Sequence, residues 1–302
     1  RYVGGSWRAR RFPLPQVVYN RVPNRQLEES AEVKQLKQRL RARGIPYYNA
    51  RYLNKYDLYR LLVNEPSIKP HLPWTKLVRR RADIHAALQQ FGRVYLKPRH
   101  AFAGKGIMTV GLRGNAWALR YRQANSNRVI QGNSLTELWP RLEQRMGRQS
   151  YIVQQGISLA QYQGRNFDVR LLAQKNGQGQ WQVSGMGVRV ASKGGITTHV
   201  PNGGFIAPAA DVLASVFGHE AHRVRDEVVQ LALQIAPAIE KGYRGLFGEM
   251  SMDIGLDVNG HPWFFEANAK PMRFDEPGIR RTGLQTLTDY VKYLARRAGE
   301  RG

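Results

Sequence analysis

Three oxygen-bearing side chains near the C-terminal end of the chain, Asp253, Glu266 and Asn268, have the types and spacing of a cation site. They lie in "MDIGLDVNGHPWFFEAN", residues 252–268, around the Asn259-Gly260 pair. Asn-Gly between two apolar runs is the strongest short-range signal for a β-hairpin. As a two-residue loop it pairs residues 258 and 261, and five positions further back it sets Asp253 opposite Glu266. Side chains alternate along a strand, so Asn268 shares the face of Glu266. Like charges facing each other destabilise a sheet, and the neighbouring Ile254, Phe264 and Phe265 argue for an ordered, partly buried hairpin. Such a patch calls for a compensating cation, and Asp, Glu and Asn oxygens without His or Cys suit a hard ion, Mg²⁺ first and Mn²⁺ as its substitute. The competing reading is a solvated hairpin face whose acids point at water.

Other residues extend the chemistry. "RVYLKPRHAFAGKGIMTVGLRG" reads as two strands joined by a small-residue loop containing Gly104, Lys105 and Gly106. It lacks the helix and the Ser or Thr that a P-loop needs after its Gly-Lys pair, so it is a flexible loop suited to closing over phosphates. Asp168-Val169-Arg170 sets opposite charges on one strand face, which a plain Asp168–Arg170 ion pair would also explain. His219 and His222 of "GHEAH" are three apart and lack zinc-protease spacing. There is no Ser-His-acid order and no dinucleotide-type GxGxxG start, and with no Cys the chain has neither disulfides nor thiolate zinc sites.

These residues need a scaffold of mixed type. Helical spacing is seen in "QLEESAEVKQLKQRLRARG", capped by Gly44, from Asp57 to a stop at Pro66, in "DIHAALQQFG" after Ala82, and over 217–241 and 283–298. "SYIVQQGISLA" predicts a short buried strand, "NFDVRLLAQKNGQGQWQVSGMGVRVAS" a hairpin with its tip at 176–179, and "GGITTHVPNGGFIAP" a Gly-rich loop. The order predicts an α+β fold with mainly antiparallel sheets. The 302 residues, 42% hydrophobic, suffice for two or three lobes. Charge is uneven: residues 1–150 carry 30 Lys/Arg against 8 Asp/Glu, and residues 151–302 carry 17 against 14. That field favours a polyanionic partner, with an Arg-rich solvated surface as the plainer reading. Nucleic-acid binding is a further alternative, from "RRRADIH", "RARG" and the tyrosines of "YYNARYLNKYDLYR", although those tyrosines recur near helical spacing and read as core first. No apolar run is long enough to span a bilayer, and charges sit where a signal peptide needs its apolar region, so the expectation is a cytoplasmic protein with no membrane partner. The chain opens on Arg1, as a segment of a longer reading frame would.

"LPQVVYNR", "NKYDLYRLL", "VYLKPRHAFAGKGI", "YIVQQGI", "FDVRLLAQKNGQGQW", "GVRVAS", "SMDIG" and "FFEANAKP", taken in this order, resemble ATP-grasp proteins, most closely the YheC/YheD endospore coat-associated family. The resemblance implies two α+β lobes gripping ATP beneath a small lid. It divides the chain into a basic N-terminal lobe (1–75, a truncated pre-ATP-grasp domain), a lid and central part (76–155) and a C-terminal lobe with the metal site (156–302). It implies that Lys55 and Lys97 meet the phosphates, that Gly104, Lys105 and Gly106 close over them, and that the main chain at Gln155 and Ile157 reads adenine. The ribose contact has no acid near the hinge, only Gln161. Arg170, with Asp168 and the neighbouring Arg189, would approach the transferred phosphoryl group or the acceptor, and His199 or Asn202 stands in the acceptor corner. Asp253, Glu266 and Asn268 fall on the family's Mg²⁺ positions. The activity implied is ATP- and Mg²⁺-dependent joining of a carboxylate to an amine through an acylphosphate, with small-molecule or peptide substrates, an acidic peptide among them. A spore-coat-associated structural protein that binds ATP without catalysis, and holds an anionic partner on its basic half, is the alternative.

Overall fold

The computed structural model describes residues 2–7, 9–99, 104–123, 126–198, 200 and 203–300. Two antiparallel sheets dominate it. The smaller lobe's sheet runs, in spatial order, Thr75–Leu77, Tyr151–Gln155, Arg93–Pro98, Met108–Arg113, Ala116–Gln123 and Ser126–Gly132. Helices Arg81–Phe91 and Leu135–Met146 cover it, packing Ile84, Leu88, Leu138 and Leu142 on Val94, Val110, Leu119 and Val153. Motif reading passes over the stretch 116–146. Its edge strand is mostly exposed and carries weak alternation, whereas the helix is announced by Ser134, whose Oγ accepts from Glu137 N at 3.3 Å.

The larger sheet runs Phe205–Pro208, Trp181–Val190, Arg165–Lys175, Glu249–Leu256 and Pro262–Asn268, with the short Gln161–Tyr162 strand also paired to Arg165–Lys175. Helix Ala221–Tyr243 lays its buried stripe Val224, Val228, Leu231, Ile235 and Ile239 on one face of this sheet, against Phe167, Val169, Leu171, Met252 and Ile254. Alternation then turns Asp168, Arg170, Asp253 and Arg189 to the other face. One face is core, and the other carries the charged residues, with Phe274 and Ile279 packed on Leu172 over part of it.

Three expectations are corrected. The helix expected over 217–241 runs Ala221–Tyr243, because Gly218 caps a preceding helix that was not expected, Ala209–Phe217, at φ +55° and a short 3₁₀ turn, Gly218–Glu220, intervenes. The last helix starts earlier, at Pro277, whose fixed φ suits a first helical position. The end of the Gly-rich loop is an edge strand, Phe205–Pro208, paired to residues 187–190. His199 and Asn202, the acceptor-corner residues, lie outside the described residues.

The N-terminal segment is built onto these sheets. Val18–Tyr19 pairs in parallel with Tyr47–Tyr48. Tyr48, fully buried, stacks on Tyr19 with ring centroids 4.7 Å apart and meets the edge of Tyr290 at 5.5 Å. Gly44, at φ +66°, follows helix Ala31–Ala42 as expected. Leu53, Leu58, Leu62, Ile68 and Leu72 belong to the core of the larger sheet. Among the described residues no helix is long and apolar enough to cross a membrane.

Candidate functional site

The hairpin that carries the acids is made differently from the two-residue loop expected, yet its ligand pair is the same. Asp257 N donates to His261 O at 3.1 Å and Gly260 N to Asp257 O at 2.9 Å, so the loop holds three residues, 258–260, with Gly260 at φ +80°. The Asp257 carboxylate fixes it by accepting from Asn259 N, His261 N and Trp263 Nε1 at 2.9–3.1 Å. That loop displaces the register by one: Leu256 pairs with Pro262 and Ile254 with Phe264. A bulge between Asp253 and Ile254 then absorbs one residue and restores Asp253 opposite Glu266 and Ser251 opposite Asn268. The bulge also leaves both Phe265 and Glu266 half-buried, beside the buried Phe264 and Ala267.

The acids are balanced by the chain's own cations. Asp253 Oδ1 accepts from Arg170 Nη1 at 3.0 Å and from Arg189 Nη2 at 2.9 Å. Lys55 Nζ lies 2.5 Å from Glu266 Oε2. It stands at the first turn of helix Lys55–Leu62, whose cap Asn54 accepts from Tyr56 N and Asp57 N. Asn268 Nδ2 donates to Glu266 Oε1 at 3.2 Å, which leaves its amide oxygen as a donor atom. Burial pushes the Glu266 carboxyl up, but Lys55, Asn268 and Lys97 outweigh it and hold the group at about 2. Asp168 behaves oppositely: burial and the nearby Asp253 push it up to about 7 against Arg189, Thr198 and Arg170. No Asp168–Arg170 ion pair forms. Asp168 Oδ2 accepts from the Thr198 hydroxyl, and its Oδ1 is buried without a partner among the described residues.

Lys97 faces this cluster from the smaller sheet. Its Nζ donates to Gln154 Oε1 at 2.6 Å and lies 5.2 Å from the Phe265 ring centroid, and burial lowers it to about 8. Gln154, buried, is passed to Lys97 by Thr75 Oγ1, which accepts from Gln154 Nε2 at 3.0 Å. A cleft between the sheets is lined by Lys55, Tyr59, Leu72, Pro73, Lys97, Ile152, Gln154, Phe264 and Phe265. Motif reading does not pick out Gln154 or Thr198, and takes Phe265 only as hairpin packing. Gln154 alone had a signal, a polar residue within the apolar run "YIVQQ".

Lys55, Lys97, Asp168, Arg170, Arg189, Asp253, Glu266 and Asn268 therefore converge. Gln155 and Ile157 lie at the end of strand Tyr151–Gln155, where Gln155 N donates to Trp74 O at 2.8 Å and Ile157 O accepts from Arg93 Nη2 at 2.9 Å. Gly104 and Gly106, at φ +70° and +72°, take conformations an L side chain rarely adopts, and Gly106 O accepts from the Tyr151 hydroxyl at 3.0 Å. Lys105 between them is exposed.

Among the described residues no three His, Cys, Asp or Glu side chains group as a metal site. The donor set is two carboxylates facing across a strand pair plus one amide oxygen, all hard oxygens, beside the unpartnered Asp168 Oδ1 and Ser251 Oγ. It fits a divalent cation that completes its shell with phosphate oxygens and water. The fit requires that the ion compete with Lys55 for Glu266.

Comparison with known proteins agrees with this architecture. Residues 44–295 match the family described as YheC/D like ATP-grasp. The chain is 30% identical to the endospore coat-associated protein YheD of Bacillus subtilis (strain 168), over 98% of this chain and 67% of that protein. It is 21% identical to the endospore coat-associated protein YheC of the same organism, over 89% and 74%. The D-alanine-D-alanine ligase from Coxiella burnetii superposes with a TM-score of 0.56 at 14% identity, over 97% of this chain and 72% of that one, a likeness of fold. With its two antiparallel sheets meeting at a cleft of lysines and paired acids, the chain belongs to the YheC/D-like ATP-grasp family and has the α+β ATP-grasp fold.

Proposed function

We propose that this protein is an ATP- and Mg²⁺-dependent ligase that joins a carboxylate to an amine. The observation that carries the reading is the convergence of Lys55 and Lys97, from separate elements, on the Asp253–Glu266 pair. Phosphate oxygens need several cations before their charge can leave water, and these two lysines stand on either side of the cleft. Bound at Asp253, Glu266 and Asn268, Mg²⁺ would supply charge to the phosphate oxygens. In the reaction class proposed, a substrate carboxylate oxygen takes the γ-phosphoryl group, ADP leaves, and an amine opens the acylphosphate, losing a proton and releasing phosphate. Lys55 and Lys97 bind and orient the phosphates. Arg170 and Arg189, held by Asp253, present planar guanidinium edges where phosphoryl or carboxylate oxygens gather charge. Gln154 aims Lys97, and the apolar side chains Leu72, Ile152, Phe264 and Phe265 flank the two lysines. The main chain at Gln155 and Ile157 is the adenine-reading edge, and Gly104, Lys105 and Gly106 close over the phosphates. We place the lid at 76–155, between a basic segment (1–75) and the lobe that carries the acids (156–302).

Calorimetry with ATP tests this. ATP is expected to bind only with Mg²⁺, and Glu266→Ala to abolish that binding while the thermal transition stays cooperative. Equal binding with and without Mg²⁺, or an unaffected variant, overturns the assignment. A second reading, an ATP-binding coat-associated protein without catalysis, draws on the neutralisation of both acids by Lys55, Arg170 and Arg189. It is distinguished by Mg²⁺-dependent ATP binding with no ADP release in the presence of any carboxylate and amine.

A further inference from the structure

The polar face of the larger sheet is a grid. One row runs straight across four strands through Glu266, Asp253, Arg170 and Gly187, each opposite the next. Adjacent strands are about 4.8 Å apart, so the row spans roughly 14 Å. Its last position has no side chain of its own, and another residue fills the space. A Cβ on Gly187 would lie 1.8 Å from Glu276 Oε1, so the Glu276 carboxylate rests where a Gly187 side chain would begin. The row therefore reads carboxylate, carboxylate, guanidinium, carboxylate.

Glu276 is held there from behind. It precedes helix Pro277–Gly299, and Ile279 in the first turn is accommodated by a second glycine, since a Cβ on Gly185 would lie 2.8 Å from Ile279 Cγ1. Ile279, Phe274 and Leu172 form a small buried apolar cluster, and the Arg170 guanidinium lies 5.3 Å from the Phe274 ring centroid. The plain role for an acid at this place is to cap the helix, yet the Glu276 side chain makes no capping bond. It is half-buried, and among the described residues its carboxylate has no hydrogen-bond or ion-pair partner, whereas Asp253 and Glu266 are both paired. Keeping a positioned carboxylate half out of water without a partner is unfavourable unless a cation arrives.

We propose that Glu276 is the binding group for the acceptor amine in its protonated form, so that the acceptor is a compound with a charged primary amine, such as an amino acid or a peptide with a free α-amino group. The proposal rests on the ligase reading and deepens it by naming the class of one substrate. The carboxylate pair at one end of the row marks the phosphate side, and Arg170 lies between it and Glu276. An acceptor tethered at Glu276 therefore has its nitrogen on the far side of the arginine from the phosphates, two strands from Asp253. The ammonium gives its proton to water before its lone pair attacks, and Glu276 serves in binding alone.

The test uses glycinamide, which carries an ammonium and no carboxylate, with acetamide as its neutral counterpart, at constant ionic strength. Saturation-transfer NMR on the whole chain is expected to show glycinamide binding and no acetamide binding. Glu276→Gln is expected to weaken glycinamide about tenfold or more, and Gly187→Ala, whose methyl displaces the carboxylate, to do the same with Glu276 intact. Both variants are expected to keep Mg²⁺-dependent ATP binding by calorimetry. Equal glycinamide binding in the intact protein and Glu276→Gln, or none in the intact protein, overturns the proposal. Loss of ATP binding in Glu276→Gln also overturns it, since the residue would then serve the phosphate site. If the intact protein binds no ATP while its glycinamide response depends on Glu276, the ligase reading fails and the ammonium site stands.

Discussion

The charges of the cleft cancel almost one for one, and this sets how each residue can be probed. Lys97 is held at a cost: burial lowers its ammonium to about 8, and among the described residues Gln154 is its direct hydrogen-bond partner. A half-buried cation kept against that penalty is better explained by a ligand than by stability. Lys97→Met is therefore expected to weaken ATP about tenfold or more, as loss of a charge-assisted bond does, with an unchanged or higher melting temperature. Calorimetry and a thermal melt on one preparation check both halves. A lower melting temperature with unchanged ATP affinity would make Lys97 a structural residue.

Elements, rather than single side chains, keep the acids in register. The three-residue loop and the bulge offset each other, and the loop depends on Gly260, where a Cβ would lie 2.6 Å from Val224 Cγ2 at φ +80°. Gly260→Ala is expected to cost roughly 2 kcal/mol, read by urea denaturation, and to weaken the Mg²⁺ dependence of ATP binding, because the hairpin can relax by slipping. At the other end of the two strands Asn49 acts as a clamp. Fully buried at φ +55°, it donates from Nδ2 to Glu249 O at 3.1 Å and Ala269 O at 2.6 Å and accepts on Oδ1 from Gly248 N at 2.8 Å. One amide thus joins the beginning of one ligand strand to the end of the other. Asn49→Ala leaves buried backbone groups unpaired and is expected to cost about 3 kcal/mol by urea denaturation; a loss under 1 kcal/mol, roughly one ordinary hydrogen bond, would show that the ladder alone holds the strands.

At the scale of the whole molecule, the N-terminal segment is tied to the larger sheet through a buried acid. Glu249 accepts from the Tyr19 hydroxyl and from Gln174 Nε2 at 3.0 Å, and Arg21 Nη1 lies 3.6 Å away. Burial pushes this carboxyl up to about 8 from an ordinary 4.5. The folded state then binds a proton that the unfolded state has released, so this contribution to stability is full below about pH 4.5 and is lost as pH rises through about 8. Glu249→Gln is expected to flatten the fall in melting temperature over that interval. An unchanged pH profile would show that Glu249 stays ionised beside Arg21. The lobes themselves are linked by exposed contacts, Arg99 to Asp57 at 3.1 Å and Arg120 Nη2 to Gly194 O at 2.6 Å, and such pairs contribute little.

Much of this was legible in the chain alone. Apolar alternation and turn residues determine the α+β class and the antiparallel hairpins, and the periodicity of Val224, Val228, Leu231 and Ile235 marks the helix that covers the larger sheet. The pairing of Asp253 with Glu266 was legible too, though by a simpler route than the molecule takes, since a misplaced loop and an unseen bulge cancel. Short-range patterns carry such information because backbone geometry repeats every two or 3.6 residues. What they do not carry is which charges meet. Lys55, Lys97, Arg170 and Arg189 come from four separate elements, and only packing decides that Arg170 turns to Asp253 instead of Asp168, that Gln154 aims Lys97, and that Gly187 yields its place to Glu276. Those pairings depend on how faces of sheets and ends of helices close on one another, and no local period encodes that closure.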